Sequence, residues 1–111
     1  FWATWCAPCI SELPSLAKLE SKINNPNFTL LLISIDRSGP KVFQPFLKRL
    51  GLESLKSGSD PKASLMRKLG LTGIPTTLLI SPTGKVVGKL EGTAEWDTPS
   101  AVELVNFYLQ N

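Results

Sequence analysis

FWATWCAPC, residues 1–9, contains both cysteines of this 111-residue chain, Cys6 and Cys9, with two residues between them. Pro8 suits the first turn of a helix, where its missing N–H is not needed, and apolar residues follow at helical spacing. The pattern predicts that both cysteines stand at a helix N-terminus, where unpaired N–H groups and the helix dipole favour a thiolate. Cys6 is therefore expected to be the nucleophile, and Cys9, one turn later and less exposed, the resolving thiol.

Two other uses of the cysteine pair are less favoured. A purely structural disulfide here would close a loop of four residues, which stabilises a fold by only about 2 kcal/mol. A closed zinc site needs four Cys or His ligands, and the chain has two cysteines and no histidine. The spacing therefore favours a dithiol that is oxidised and reduced in turn, and no metal site is expected.

A second motif is Gly73-Ile74-Pro75-Thr76. A proline before a strand cannot donate a backbone hydrogen bond and can hold a cis peptide at modest cost. Together with Glu12 and Pro14, the two motifs resemble the thioredoxin superfamily. The pattern Trp-Cys-x-Pro-Cys-x-x-Glu-x-Pro is similar to its extracytoplasmic, membrane-tethered branch typified by TlpA, ResA and CcmG. The segment 94–96, before the last helix, is most similar to the TlpA type.

The resemblance covers essentially the whole chain and implies one thioredoxin-like α/β domain over residues 1–111, with a mixed central sheet flanked by helices on both faces. In this superfamily the strand that leads into the cysteine motif is the central one. Residues 1–3 directly precede the cysteine motif and read as the last residues of that strand, and Phe1 is not an initiator methionine. We expect the rest of the strand, and a membrane anchor or signal, to lie upstream of Phe1.

Apolar periodicity and turn residues predict the other elements. In chain order they are a helix from the cysteine motif to about Asn24, a strand over Phe28–Ile35, a helix over Lys41–Leu50, a loop at Ser57–Ser59, a helix from Asp60-Pro61 through Leu69, a hairpin of Thr77–Ile80 with Lys85–Leu90, and a helix from Thr98-Pro99 onward. The run Phe28–Ile35 is apolar almost throughout, which is typical of a strand covered on both faces. Inward-facing positions are expected at Val42, Phe43, Phe46, Leu47 and Leu50, at Leu65, Met66 and Leu69, and at Ala101, Val102, Val105, Phe107 and Leu109.

The resemblance also assigns the residues around the cysteines. In this superfamily the cis proline lies against the active-site sulfurs and leaves a backbone edge open, where an extended substrate segment can pair as an added strand. Substrate contacts are accordingly expected from Trp5, Ala7, Pro8, Ile74 and Pro75.

Three further side chains have predicted positions or roles. Glu12, three residues beyond Cys9, is expected to exchange a proton with the thiols or to raise their pKa; the alternative is a solvated helix carboxylate. Trp2 is expected to pack beneath the site. Trp96 either fills the core or presents a partner-binding patch.

Composition bounds the partners. The apolar fraction of 42% is ordinary for one globular domain, and no apolar run is long enough to cross a bilayer. The net charge is +3, but the twelve basic residues are dispersed, so nucleic acid is not an expected partner. No bound cofactor is needed for thiol-disulfide exchange.

The predicted function is reduction of protein disulfides, with disulfide-containing proteins as substrates and an upstream membrane dithiol as the source of electrons. The resemblance implies substrates in respiratory cytochrome biogenesis, either copper-site cysteines of an oxidase or haem-binding cysteines of apocytochrome c. It places the protein in the bacterial periplasm or on the outer face of the cytoplasmic membrane, anchored there. A Cu(I)-binding metallochaperone that uses both thiolates remains the alternative from another class, and a peroxiredoxin is a further enzyme alternative.

Overall fold

Helices and strands follow one another along residues 1–109, the part of the chain that the computed structural model describes. The elements are α1 (Ala7–Lys22), β1 (Leu32–Ser34), α2 (Pro40–Arg49), β2 (Ser57–Ser59), α3 (Ser64–Lys68), β3 (Thr76–Ile80), β4 (Val86–Glu91) and α4 (Pro99–Leu109). Residues 110–111, the last two of the predicted domain, lie outside the described part. None of the helices within residues 1–109 combines the length and apolarity needed to cross a membrane.

The strands form two ladders with a short link between them. β1 and β2 are parallel, and β3 and β4 form the predicted antiparallel hairpin. Trp2 lies beside β1, since its N–H donates to the Ile33 oxygen at 2.9 Å and its own oxygen accepts from Ile35 at 2.9 Å. On the other side, the Phe1 nitrogen donates to the Thr76 oxygen of β3 at 2.9 Å. Residues 1–2 thus occupy the place between β1 and β3 that was predicted for the strand leading into the cysteine motif.

One loop prediction was wrong, and one predicted strand is shorter than expected. Ser57–Ser59, predicted as a loop, is β2, because its backbone pairs with β1 although its side chains give no apolar pattern. The approach is close at Gly58, where a Cβ atom would lie 3.2 Å from Ile33 Cδ1. The strand predicted over residues 28–35 is present as β1 at Leu32–Ser34, with the backbone bond from Ile35 to Trp2 following it. Phe28 packs beside α1 and α4 instead, and Leu31 is exposed, so the length of the apolar run did not give the length of the strand.

Helix α3 begins later than predicted. Residues 60–63 form a turn first, in which Ala63 has a φ of 54°, and the Asp60 carboxylate accepts from the N–H groups of Leu65 and Met66 at 3.1 and 3.0 Å. Asp60 therefore satisfies the first N–H groups of the helix from outside it. Among the three predicted inward residues of this helix only Met66 is buried; Leu65 and Leu69 are exposed, because five residues bury a single position.

The other helices bury narrower faces than their periodicity predicts. In α2, Phe43 and Leu47 are buried and Phe46 is half-buried, whereas Val42 and Leu50 are exposed. Helix α4 does not simply cover the sheet: its buried residue Val105 packs against Leu19 and Ile23 at the end of α1. Phe107 is exposed. In both helices, therefore, the buried stripe is narrower than the apolar stripe in the sequence.

The main core lies beneath the cysteine motif. Trp2 is 2% exposed, its ring centroid is 6.3 Å from that of Phe43 and 6.2 Å from that of Phe46, and its indole N–H donates to Ser57 Oγ at 3.1 Å. The same cluster includes Cys6 and Cys9. The predicted position of Trp2 under the site is confirmed.

Candidate active site

Cys6 is the N-cap residue of α1 and forms a disulfide with Cys9. Its backbone is extended, with φ −101° and ψ 99°, and its Cα lies 5.3 Å from that of Cys9. Cys6 Sγ accepts the N–H of Cys9 at 3.3 Å. Both thiols of the reduced form would stand in the first turn of a 16-residue helix, where N–H groups and the helix dipole favour negative charge on sulfur.

The two sulfurs differ in access. Cys6 is 7% exposed, and Cys9 is 1% exposed in the core beside Leu13. Although the exposed fraction of Cys6 is small, it exceeds that of Cys9, and Cys6 stands at the end of the helix rather than inside it. The difference has the direction expected if a partner reaches Cys6 first and Cys9 acts from within.

The proline loop lies beside Cys6, as the resemblance implied. The peptide bond between Ile74 and Pro75 is cis, and the Ile74 carbonyl oxygen lies 4.0 Å from Cys6 Sγ. Pro75 is buried and Ile74 is half-buried. Two bonds fix the loop: Pro75 O accepts from Gly92 N at 2.8 Å, and Thr76 Oγ1 donates to Gly73 O at 2.7 Å. The two sequence motifs, separated by more than 60 residues, therefore meet in one place.

Three predicted contact residues surround the disulfide on the solvent side. Trp5 is 67% exposed, an unusual state for a large aromatic side chain, and Ala7 and Pro8 are also exposed. The arrangement leaves apolar surface open around Cys6. A role for these side chains in substrate contact stays a prediction at this point.

Glu12 is buried on the same face of α1 as Cys9, which excludes the alternative of a solvated helix carboxylate. Its Oε2 accepts from the Ala94 N–H at 3.1 Å and from the Trp96 indole N–H at 3.4 Å. Burial raises the pKa of Glu12 above its ordinary value, and the two hydrogen bonds only partly oppose this effect. Glu12 therefore holds a proton at higher pH than a surface carboxyl does.

Trp96 serves the interior. It is half-buried and packs both against the main core beneath the cysteine motif and against the cluster of Leu19, Ile23 and Val105. Its backbone N–H donates to Ser15 Oγ at 3.1 Å. Of the two possibilities left open by the sequence, the core position is the one observed. Trp96 attaches the loop before α4 to α1 and, through its indole, to the Glu12 carboxylate.

Asp36 is a site residue that the sequence analysis missed. It is 3% exposed and accepts from Thr4 N at 3.1 Å, Thr4 Oγ1 at 2.7 Å and Ser34 Oγ at 2.6 Å. These bonds hold the turn that precedes Trp5 and Cys6 against the end of β1. The available signal was an acidic residue directly after an apolar strand run, since side chains at strand ends commonly face functional loops. Within residues 1–109 no group of three or more His, Cys, Asp or Glu is placed to hold a metal ion.

The chain belongs to the thioredoxin-like family, whose model matches residues 1–86. It is 30% identical to the thiol-disulfide oxidoreductase ResA of Bacillus subtilis over 93 residues, which cover 84% of this chain and 51% of ResA. It is 30% identical over 95 residues to the thiol:disulfide interchange protein HelX of Rhodobacter capsulatus, covering 83% and 49% of the two chains. A plant protein also matches: "Probable nucleoredoxin 1" of Arabidopsis thaliana is 34% identical over 91 residues, 80% of this chain and 16% of that one.

Solved structures give the same fold. A Chlorobium tepidum protein described as the thiol:disulfide interchange protein DsbE superposes with a TM-score of 0.77 at 27% identity, over 99% of this chain and 74% of its own. A thioredoxin from Neisseria meningitidis superposes with a TM-score of 0.80 at 24% identity, over 100% and 72%. The predicted thioredoxin-like α/β fold and the resemblance to ResA-type proteins are confirmed. The chain spans about half the length of the ResA and HelX relatives.

Proposed function

We propose that this protein is a protein thiol-disulfide oxidoreductase in which Cys6 attacks and Cys9 resolves. The observation that carries the proposal is the position of Cys6 Sγ, which accepts a helix N–H at 3.3 Å and lies 4.0 Å from the Ile74 carbonyl oxygen. The first contact stabilises a thiolate at this sulfur. The second places beside it a loop that can hold a substrate chain. Names such as thiol-disulfide oxidoreductase for the relatives ResA and HelX support the same chemistry.

The exchange takes two steps. The Cys6 thiolate attacks one sulfur of the substrate disulfide, a new bond forms to Cys6, and the other substrate sulfur leaves as a thiolate and takes a proton. Cys9, having lost its proton, then attacks Cys6 Sγ and releases the second substrate thiol. The substrate gains two electrons and two protons, and the protein is left with the Cys6–Cys9 disulfide.

Glu12 is proposed to exchange the proton of Cys9. It lies one helical turn after Cys9 on the same buried face, and burial raises the pKa of its carboxyl. A carboxyl with a raised pKa is closer to a thiol in proton affinity, which makes transfer between them easier. When ionised, Glu12 also places negative charge near the cysteines and raises the pKa of their thiols.

The substrate segment is proposed to lie in extended form between the exposed apolar side chains of Trp5, Ala7 and Pro8 and the loop at Ile74 and Pro75. Backbone groups at the proline loop would pair with it as they would with an added strand. Pro75 has no N–H and so does not compete for the substrate's acceptors.

The resemblance stated above extends the proposal to the setting. We place the protein at the outer face of a bacterial cytoplasmic membrane, tethered through sequence upstream of Phe1 and supplied with electrons by a membrane dithiol reductant. Its substrates there would be disulfides of proteins in respiratory cytochrome biogenesis.

The central experiment is insulin reduction by the reduced chain, combined with a redox equilibrium against glutathione followed by tryptophan fluorescence. We expect turnover that is lost in Cys6→Ser, and a potential near the thioredoxin value of about −270 mV. A potential near −120 mV would reverse the direction to oxidation. Tight Cu(I) binding without any disulfide exchange would replace the proposal with the copper-binding alternative.

A further inference from the structure

A second surface feature includes Trp5 but none of the residues of the proline loop. It is an open cavity of about 1100 Å³ between the chain after β1 and the turn before α3. Trp5 and Thr4 form the edge nearest the cysteine motif. Val42, which its helical spacing assigned to the core, lines the cavity with 38% of its surface exposed. The cavity thus includes the apolar side chain that directly precedes Cys6 as well as that of Val42.

The charges around the cavity are mainly of one sign. Arg37, Lys62 and Arg67 line it and are all exposed, and Asp36 is the single carboxylate among the lining residues. Asp36 is buried, and its oxygens accept hydrogen bonds from Thr4 and Ser34. It is therefore engaged inside the protein, whereas the three cations face outward.

The cations also have no ion-pair partner in the described part of the chain. The one ion pair found within residues 1–109 joins Lys89 and Glu91, both in β4. Arg67 is held in place by a neutral contact, since its Nη1 donates to the Lys62 carbonyl oxygen at 2.8 Å. Three solvated cations around an apolar cavity produce a local positive potential that attracts carboxylates.

We propose that this cavity, lined by Trp5, Arg37, Lys62 and Arg67, binds an acidic segment of the protein whose disulfide is exchanged at Cys6. The inference rests on the proposed function and adds a substrate class to it. Cys6 does not line the cavity, but its neighbour Trp5 does. An extended substrate chain covers about 3.3 Å per residue. Acidic residues two to four positions from the target cysteine lie about 7–13 Å from it in an extended chain, and substrates with this pattern are the ones to test. Charges of this kind act mainly on the rate of association and on its salt dependence.

The test uses two peptides that each carry one cysteine linked to 2-mercaptoethanol as a disulfide. One has glutamates two to four positions from the cysteine, and the other has glutamines at the same positions. The second-order rate of oxidation of the reduced protein is divided by the rate with free 1-thioglycerol as the nucleophile, which removes the intrinsic reactivity of each peptide. We expect a preference of about tenfold for the acidic peptide at low salt, falling towards one at about 0.5 M salt.

Matched variants assign the preference to the cavity. The triple variant R37Q/K62Q/R67Q should lower the acidic-to-neutral ratio to about one, whereas K18Q/K48Q/K85Q, with the same change of net charge at exposed sites that do not line the cavity, should keep it. The inference would be overturned if the parent chain reacted with both peptides at equal normalised rates, or if both triple variants lost the preference for the acidic peptide equally. It would also be overturned if an oligonucleotide of equal charge inhibited the reaction as strongly as the acidic peptide does.

One further measurement separates this inference from the function on which it rests. Bis(2-hydroxyethyl) disulfide is neutral and too small to fill the cavity. If it oxidises the reduced protein faster than it oxidises 1-thioglycerol, a neutral monothiol, while neither peptide is preferred, exchange stands and the acidic-segment inference is wrong. If it and both peptides react with the reduced protein no faster than with 1-thioglycerol, the proposed exchange function itself is wrong.

Discussion

The indole Nε1 of Trp96 donates a hydrogen bond to Glu12 Oε2 at 3.4 Å, joining residues 84 positions apart in sequence. The Ala94 N–H donates to the same oxygen at 3.1 Å. The loop before α4 thus covers the carboxylate that follows the cysteine motif. This loop shields the Glu12 carboxylate from water and at the same time supplies it with hydrogen-bond donors.

Glu12 should make the oxidised protein less stable as pH rises. Its pKa is raised in the folded state by burial, so folding favours the protonated form; the stabilisation is complete below the ordinary value of 4.5 and is lost as pH rises through the folded value. Glu12→Gln should remove this decline, with a free energy of unfolding at pH 7 equal to or above that of the parent. Denaturant unfolding across pH 3 to 9 measures it. The disulfide form is used because its cysteines do not titrate.

Two variants check that the effect comes from Glu12. Trp96→Phe removes a hydrogen bond to the ionised carboxylate, so the pKa of Glu12 should rise further and the decline should move to higher pH. Glu95→Gln, an exposed change in the same loop, should leave the profile of the parent unchanged. An identical pH dependence in the parent and in Glu12→Gln would contradict the assignment.

Cys9→Ser should trap the substrate on Cys6. The Cys9 backbone N–H that stabilises the Cys6 sulfur remains in this variant, while the thiol that releases the substrate is gone. A mixed disulfide with insulin should accumulate and be visible by mass spectrometry. Cys6→Ser is the control and should give no adduct, because Cys9 is buried. Faster alkylation of position 9 than of position 6 at neutral pH would reverse the two roles.

Asp36→Ala should destabilise the protein and disturb the site together. The change leaves the buried Ser34 hydroxyl and the Thr4 N–H without their acceptor, which costs about 1–3 kcal/mol for each buried unsatisfied group. The melting temperature should fall by several degrees, since a loss of 1 kcal/mol in unfolding free energy lowers it by about 4–8 °C in a domain of this size. Alkylation of Cys6 should change in rate as the turn before it loosens. Thr4→Ser is the control, because it keeps the hydroxyl that bonds to Asp36, and it should behave like the parent. An unchanged melting temperature in Asp36→Ala would show that Asp36 does not hold this turn in place.

Asp60 should matter most in acid. Burial disfavours its ionised form, but the hydrogen bonds from Met66, Leu65 and Ser64 outweigh burial and hold the pKa of Asp60 below its ordinary value of 3.8. Its stabilisation is therefore present above pH 3.8 and is lost as pH falls through the folded value. Asp60→Ala should cost about 1 kcal/mol at neutral pH, as loss of a helix cap does, and the difference from the parent should shrink in acid.

The matched control for Asp60 is Ser64→Ala. It removes one bond of 3.3 Å to the carboxylate and leaves the shorter bonds from the Leu65 and Met66 N–H groups in place. Its unfolding free energy should stay close to that of the parent at every pH. A constant difference between Asp60→Ala and the parent down to pH 2 would show that the ionised form is not the stabilising one.

Features that depend on local chemistry could be predicted from the sequence. The cysteines at the start of α1 and the β3–β4 hairpin follow from residues that are neighbours in the chain, because caps and turns are short-range effects. The cis bond before Pro75 was implied by the family resemblance, since local chemistry only permits it. The position of residues 1–2 beside β1 came from the family resemblance. The exposed surfaces of Val42 and Leu65 could not be predicted, since periodicity identifies an apolar stripe but not how much of it a neighbour covers.

By itself, then, the sequence determined that both cysteines stand in the first turn of a helix, because caps and proline positions are local. Only the tertiary structure decided that Glu12 is buried, that Asp36 holds the turn before Cys6, and that Ser57–Ser59 joins the sheet. Each of these depends on groups more than twenty residues apart, among them Ala94, which lies 82 positions from Glu12. Such contacts form where helices and strands pack against one another, and no pattern within one segment specifies them.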